Sequence, residues 1–313
     1  MTATECHLSN LDLPLNEANT CWWLSANLAL FHKKRPELDT YFGTAASSAS
    51  ASAPSNFNTF QSNLKPDFQK IYNYYSGSPS PSPSPSPSSS NWTASNVLEF
   101  RTSSNMTLFN TSNFQVNSNT LQDPAEYLNQ LYSYINLDFN NQAITNTTNL
   151  NLYDMHLHRL FYGITDKTNG GVDWKVFYEG TSSLILTFRD PSTEKSTINI
   201  LKEISIPVFT GDTGGIIVGL TQDNMNIFHQ QLGSNFTTNT YYLDAMIVYE
   251  DGNKHWVSYV KCDTNDTWYY YKAIQAGPMT LKWDSFESMM ASNEILSSNV
   301  RIMFYSKKEK DKV

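Results

Sequence analysis

The stretch NEANTCWWLSANLALF, residues 16–31, decides the fold prediction for this chain. Cys21 stands directly before an apolar-periodic run, so we predict a helix from about Thr20 to Lys33. One face of this helix is formed by Leu24, Asn27, Leu28 and Phe31. Cys21 then lies at the helix N-terminus, where the helix dipole lowers the pKa of a thiol and raises its thiolate fraction.

A segment far downstream, KHWVSYVK at residues 254–261, can supply a base through His255. Covalent acyl transfer needs at least a thiolate nucleophile with a histidine base close to it in the fold. Each residue also has a simpler interpretation. A free cysteine is often a small buried apolar residue, and an isolated histidine at the start of a strand often has no chemical role. The two segments therefore carry the functional hypothesis together.

The composition excludes several classes of partner. The net charge is −8 and the pI is near 5.2, and the Lys and Arg clusters that neutralise phosphates are missing. We expect no nucleic-acid partner. No run of about 18 apolar residues is present, so we expect no membrane partner. The N-terminus shows no charged start followed by an apolar run, so we expect a cytoplasmic location rather than secretion.

The chain has 3 cysteines and no CxxC pair. This count argues against a disulfide framework and against structural zinc sites, and Cys6 and Cys262 are expected to be inert. His156 and His158 have a spacing that could suit a metal, but two histidines at this spacing are by themselves a weak metal signal. We therefore predict no metal or organic cofactor.

Helices precede strands along the chain, which predicts an α+β fold in one domain over residues 1–313. The helical part includes an amphipathic stretch at 57–75 and a helix at 124–137 with Asp123 as its cap. Two inserts are predicted, a Ser-Pro low-complexity segment at 76–91 and an Asn/Ser-rich segment at about 92–150. Strands are predicted at residues 174–178, 183–188, 205–209, 241–249, 254–261, 267–272 and 300–305.

Two boxes of sequence resemble the ubiquitin-specific proteases, a family of papain-like cysteine peptidases. The cysteine box is NEANTCWWLS at residues 16–25. The histidine box is YYLDAMIVY at 241–249, followed by HWVSYVK at 255–261 and WYYYK at 268–272. The resemblance implies a papain-like α+β fold, with an N-terminal helical lobe packed on a C-terminal antiparallel sheet. The zinc-binding fingers usual in the family cannot be present with this cysteine count.

The resemblance also implies the catalytic roles, residue by residue. Cys21 is the nucleophile, and His255 takes the thiol proton and later protonates the leaving amine. Asn16 stabilises the oxyanion with its side-chain amide, beside the backbone N–H of Cys21. A turn asparagine without a chemical role is the alternative for Asn16. Trp22 and Trp23 either pack the helix against the sheet or wall the channel beside the scissile bond.

The chain departs from the family pattern at two positions. Lys272 stands where the family has the Asp or Asn that orients the histidine, and a cation cannot accept the imidazole N–H. Hairpin register places Lys272 diagonal to His255, and Gln275 or Asp284 could substitute as acceptors. Asn253 and Lys254 replace glycines before the histidine, which puts ubiquitin itself in doubt more than peptidase chemistry.

The sequence therefore predicts a thiol peptidase that cleaves amide or isopeptide bonds after ubiquitin or a ubiquitin-like protein, in a divergent and viral member of the family. The alternative is a catalytically weak or inactive module of the same fold. It would act as a structural or binding component of a large virus particle, with capsid proteins as partners. Another papain-like hydrolase or transferase is the third hypothesis.

Overall fold

The computed structural model describes residues 6–17, 19–43, 55–77, 92–139, 174–179, 183–193, 198–209, 236–274, 277, 279–292, 294–295 and 299–307. The Ser-Pro insert, apart from residues 76 and 77, and the pair His156 and His158 lie outside these ranges. No helix in the described part is long and apolar enough to cross a membrane.

The N-terminal half of the chain is helical. Its helices are α1 (Cys21–Phe31), α2 (Pro36–Gly43), α3 (Ser55–Thr59), α4 (Lys65–Ser76), α5 (Ala94–Arg101) and α6 (Pro124–Phe139). A π-helical turn (Phe60–Leu64) joins α3 to α4, and 3₁₀ helices occupy His7–Asn10 and Ser104–Phe109. The amphipathic stretch predicted at 57–75 is confirmed as α3, the π turn and α4. The helix predicted at 124–137 is confirmed as α6, and the Asp123 carboxylate accepts from the Ala125 N–H at 2.9 Å.

The described part of the C-terminal half forms an antiparallel sheet of eight strands. They are β1 (Trp174–Glu179), β2 (Ser183–Phe188), β3 (Glu203–Phe209), β4 (Phe236–Glu250), β5 (His255–Lys261), β6 (Trp268–Tyr271), β7 (Thr280–Trp283) and β8 (Val300–Lys307), with α7 (Phe286–Ala291) before β8. The strand order is β1-β2-β8-β4-β5-β6-β7, and β3 also pairs with β4. All seven predicted strands are therefore present, and β7 is an eighth that the sequence pattern did not indicate.

Strand alternation separates two hydrophobic cores on the two faces of the sheet. In β4, Ala245 and Ile247 belong to the core shared with the helices, whereas Met246 and Val248 belong to the core on the other face. Helix α1 lies inside the first core, and all of its residues are buried. The prediction of one buried face on α1 is therefore wrong, because other helices cover the side away from the sheet.

Two salt bridges anchor the C-terminal end of α1 to the sheet. Arg35 pairs with Asp244 of β4 at 2.9 Å, and Lys33 pairs with the same carboxylate at 3.0 Å. The Arg35 guanidinium also donates to the carbonyl of Leu30, which caps the last turn of α1. This arrangement fixes the axis of the helix that carries Cys21 at its other end.

Trp22 and Trp23 pack inside the protein, but their ring contacts are with residues outside the sheet, so the prediction that they pack the helix against the sheet is not confirmed. Both are fully buried, and Trp22 makes edge contacts with Phe114 and Tyr127. Phe114 and Tyr127 come from the Asn/Ser-rich region predicted as an insert, so this region contributes to the core around α1.

The expectation of no disulfide is wrong, because Cys6 and Cys262 are bonded across 256 residues of sequence. Cys6 lies at the start of the described chain and Cys262 directly follows β5. Only the fold brings the two together, so spacing along the sequence carried no signal. Cys21 is the free cysteine of the chain.

Candidate active site

Cys21 and His255 each begin a secondary-structure element, and these two elements pack against each other. Cys21 is the first residue of α1 and His255 is the first residue of β5. One turn into α1, the Ser25 hydroxyl donates to the Trp256 carbonyl at 3.1 Å, and the Ser258 hydroxyl donates to the Ser25 carbonyl at 3.0 Å. This reciprocal pair of bonds fixes the position of the helix start relative to the strand start.

The Cys21 sulfur faces main-chain N–H groups. Those of Trp256, of Trp22 and of Cys21 itself favour the thiolate and lower the pKa of the thiol. Burial acts in the opposite direction and is the larger effect, so the pKa of Cys21 is raised above its usual value. The predicted direction of this pKa shift is therefore wrong. The N–H groups at the helix N-terminus stabilise the thiolate as expected. Cys21 is only 1% exposed, however, and the loss of hydration destabilises the thiolate more than these N–H groups stabilise it.

The imidazole of His255 has a defined acceptor, the main-chain carbonyl of Lys272. A carbonyl only accepts, so Nε2 carries the proton and Nδ1 keeps its lone pair as a base. The Lys272 side chain does not accept the imidazole N–H, as predicted, but the main-chain carbonyl of the same residue does. Of the two proposed substitutes, Asp284 is exposed, and Gln275 lies outside the described residues.

Burial lowers the pKa of His255, and the nearby Lys272 ammonium contributes in the same direction. The hydrogen bond to the Lys272 carbonyl and the negative charge of Glu250 oppose this shift. No hydrogen bond joins the Cys21 thiol to the His255 imidazole, although both residues are described. At neutral pH the two groups are therefore a neutral thiol and a neutral imidazole on adjacent elements.

A main-chain hydrogen bond holds Asn16 beside the residue that follows Lys272. Its N–H donates to the Ala273 carbonyl at 2.6 Å, and its side-chain Oδ1 accepts from the Thr20 hydroxyl at 3.0 Å. The bond to Oδ1 orients the side-chain amide, whose NH₂ group is the part of Asn16 that can donate to an oxyanion. Thr20 directly precedes Cys21, so Asn16 is linked to both the helix start and the residue after Lys272.

The dipeptide Lys272–Ala273 therefore contacts two of the three predicted site residues. The Lys272 carbonyl holds His255, and the Ala273 carbonyl holds Asn16. Ala273 has φ of 58°, a left-handed conformation that costs about 1–2 kcal/mol for a residue with a Cβ. The sequence pattern indicated neither this conformation nor the role of the two carbonyls.

Among the described residues, no group of three His, Cys, Asp or Glu side chains could hold a metal ion. The chemistry that this site offers comes from a thiol, an imidazole and amide donors. A nucleophile, a base and an oxyanion donor on converging elements can carry out acyl transfer.

No protein-family model matches the sequence, and no curated protein matches it significantly. Among solved structures, the chain is similar to the SAGA DUB module Ubp8/Sgf11/Sus1/Sgf73 bound to monoubiquitin, with 11% identity and a TM-score of 0.49 over 99% of this chain and 72% of that one. The same module bound to ubiquitin aldehyde gives 11% identity and a TM-score of 0.44, with the same coverage. At this identity and these TM-scores, the functional argument depends on the residues of this chain.

Proposed function

We propose that this chain is a papain-like thiol peptidase, related to the ubiquitin-specific proteases, that hydrolyses the amide or isopeptide bond after ubiquitin or a ubiquitin-like protein. The observation that carries the proposal is the convergence of Cys21 and His255 at the packed starts of α1 and β5. The cysteine box leads into α1, and the histidine box covers parts of β4, β5 and β6. Nothing in the packing of a helix on a sheet requires a thiol, an imidazole and an amide at this point.

The mechanism follows from the donors and acceptors of the site. Nδ1 of His255 takes the thiol proton as the Cys21 sulfur attacks the carbonyl carbon. The negative oxygen of the tetrahedral intermediate accepts from the Cys21 N–H and the Asn16 NH₂. The C–N bond then breaks, and the leaving amine takes the proton from His255. Water, deprotonated by His255, hydrolyses the thioester, which releases the carboxylate and restores the thiol.

The resting protonation state indicates how the site is activated. The pKa of Cys21 is raised and that of His255 is lowered, so a thiolate–imidazolium pair is disfavoured before substrate binds. Proton transfer from sulfur to Nδ1 therefore belongs to the attack step. Hydrogen bonds between catalytic groups are often long before the Michaelis complex forms.

A non-catalytic binding module of the same fold is the second candidate. Two observations favour it: the Cys21 side chain is 1% exposed, and it makes no hydrogen bond to His255. In this alternative, Cys21 is a buried packing residue. The viral origin and the virion location remain predictions from the sequence, and no observation of the structure tests them.

Labelling with a ubiquitin that carries a thiol-reactive group at its C-terminus tests the proposal. The wild-type protein is expected to form a covalent adduct, and Cys21→Ala is expected to form none. His255→Ala should label much more slowly, whereas His7→Ala, a matched histidine variant in the N-terminal 3₁₀ helix, should label like wild type. Absence of an adduct with the wild-type protein would favour the binding module.

A further inference from the structure

His255 belongs to a closed ring of contacts with Lys272 and Glu250. Its imidazole donates to the Lys272 carbonyl, and the Lys272 ammonium lies 2.6 Å from the Glu250 carboxylate. Glu250 and His255 are themselves directly opposite each other in the pairing of β4 with β5. Glu250 is the last residue of β4, His255 is the first residue of β5, and Lys272 directly follows β6.

The Glu250 carboxylate is held from several sides. Besides the Lys272 ammonium, it accepts from the Tyr270 hydroxyl at 2.5 Å and from the Asn253 side chain at 3.1 Å. Burial alone raises the pKa of Glu250, but these contacts together outweigh it, so the pKa is lowered and the carboxylate is ionised at neutral pH. Its side chain is 24% exposed and that of Lys272 is 22% exposed, so both charges are partly shielded from solvent. An ion pair with this burial and this many partners has a defined geometry.

The ion pair lies where the chain leaves the sheet. The last pairing of β6 with β5 is Tyr271 with Ser258, so Lys272 has no ladder partner to fix its peptide group. The main-chain carbonyl that accepts the His255 N–H belongs to the same residue whose ammonium pairs with Glu250. The Asn16 N–H holds the carbonyl of the next residue, Ala273.

We propose that Lys272 and Glu250 are positioning residues for His255: their ion pair fixes the main-chain carbonyl that takes the place of a side-chain acceptor. This proposal rests on the proposed function for its purpose, because a base in the thiol reaction needs one defined tautomer. With Nε2–H held by the carbonyl, Nδ1 keeps its lone pair for the Cys21 proton. If the carbonyl moves, the Nδ1–H tautomer becomes accessible and the base is lost.

The tautomer of His255 tests the proposal without any substrate. Two-bond ¹H–¹⁵N correlation spectra at pH 7.5 distinguish Nε2–H from Nδ1–H in a neutral imidazole. The wild-type protein is expected to show the Nε2–H form alone. Lys272→Met and Glu250→Gln are each expected to give a mixture, and Lys272→Arg is expected to restore the single form because arginine can also pair with the carboxylate.

Lys254→Met is the matched control, since it removes an exposed cation adjacent to His255 in sequence. It should retain the wild-type tautomer. A single Nε2–H form in both Lys272→Met and Glu250→Gln would overturn the proposal, as would an Nδ1–H form in the wild-type protein. Amide spectra report whether each variant is folded. If Lys272→Met does not fold, the isosteric Glu250→Gln and the conservative Lys272→Arg decide the question.

The two proposals can fail independently. A ubiquitin adduct with no change of tautomer in the variants would support the proposed peptidase function and overturn the positioning role of Lys272 and Glu250. A tautomer change in the variants without a ubiquitin adduct would support the positioning role of the ion pair and exclude ubiquitin as the substrate.

Discussion

The hydroxyl of Ser258 donates to the main-chain carbonyl of Ser25 at 3.0 Å, deep between α1 and β5. Both residues are fully buried. The Ser25 hydroxyl in turn donates to the main-chain carbonyl of Trp256, two residues before Ser258 in β5. A buried hydroxyl is costly unless it forms a hydrogen bond, and here each of the two hydroxyls has an acceptor. The bonded pair sets the relative position of the elements that carry the candidate nucleophile and base.

Removing either hydroxyl is expected to destabilise the protein. Ser25→Ala or Ser258→Ala should each lower the free energy of unfolding by about 1–2 kcal/mol, because a buried hydrogen bond is lost. Urea unfolding monitored by tryptophan fluorescence measures this change. Ser133→Ala is the matched control, since this exposed serine bonds only within α6 and should change stability by less than about 0.5 kcal/mol. Equal stability of the buried and exposed variants would contradict the role of the pair.

The reactivity of Cys21 with a small alkylating agent should require a higher pH than that of an ordinary thiol. Burial raises the pKa of Cys21, and only the thiolate reacts, so the rate should still be rising at pH values where an exposed cysteine has levelled off. Mass spectrometry of the alkylated protein across pH measures the midpoint. The unfolded protein, in which Cys21 is exposed, is the control. A midpoint below that of the unfolded protein would contradict the dominance of burial.

Asn16→Ala is expected to lower kcat and kcat/KM together by about 100-fold, since an oxyanion donor acts in the transition state. KM should stay close to the wild-type value. Thr20→Val removes only the hydroxyl that orients the Asn16 side chain, so its effect on kcat should be smaller and in the same direction. A rise in KM with unchanged kcat would assign Asn16 to substrate binding instead.

Stability should fall in acid because of His32. Its ring is fully buried at the end of α1, and burial lowers its pKa to about 3, with Arg35 and Lys33 acting in the same direction and Asp244 opposing them. Between pH 6.5 and about 3 the unfolded chain binds a proton that the folded protein does not, so the free energy of unfolding falls as pH falls.

The variant His32→Gln cannot titrate and should show a shallower loss of stability in this window. The largest slope that one proton can contribute is about 1.4 kcal/mol per pH unit. Unfolding free energies measured at several pH values from 7 to 4 give the slope for each protein. Identical slopes for wild type and His32→Gln would assign the acid sensitivity to other titrating groups.

The order of the elements could be predicted from the sequence because hydrophobic periodicity is a local property. Seven of the eight described strands, all except β7, and the helices α1, α4 and α6 follow from this periodicity. The burial of α1 on all sides could not be predicted, because it depends on the residues that cover the helix from outside. Phe114 and Tyr127 come from a region whose composition suggested an insert. The bond between Cys6 and Cys262 depends on the fold in the same way.

The candidate site shows the same division. The types of residue at positions 16, 21 and 255 indicated the chemistry, since side chains are visible in a sequence. The acceptor of the imidazole is a main-chain carbonyl, which every residue has, so Lys272 gave no positive signal. Glu250 could have been found, because the turn at Asp251 and Gly252 places it opposite His255 in a hairpin.

Hydrolysis of a fluorogenic amide at the C-terminus of ubiquitin measures the proposed thiol chemistry itself. The wild-type protein is expected to release the fluorophore, with turnover lost in Cys21→Ser and strongly reduced in His255→Gln. Cys6→Ser, which breaks the disulfide but leaves Cys21 intact, should retain turnover wherever the protein remains folded. Release by the wild-type protein no faster than by Cys21→Ser would contradict the account.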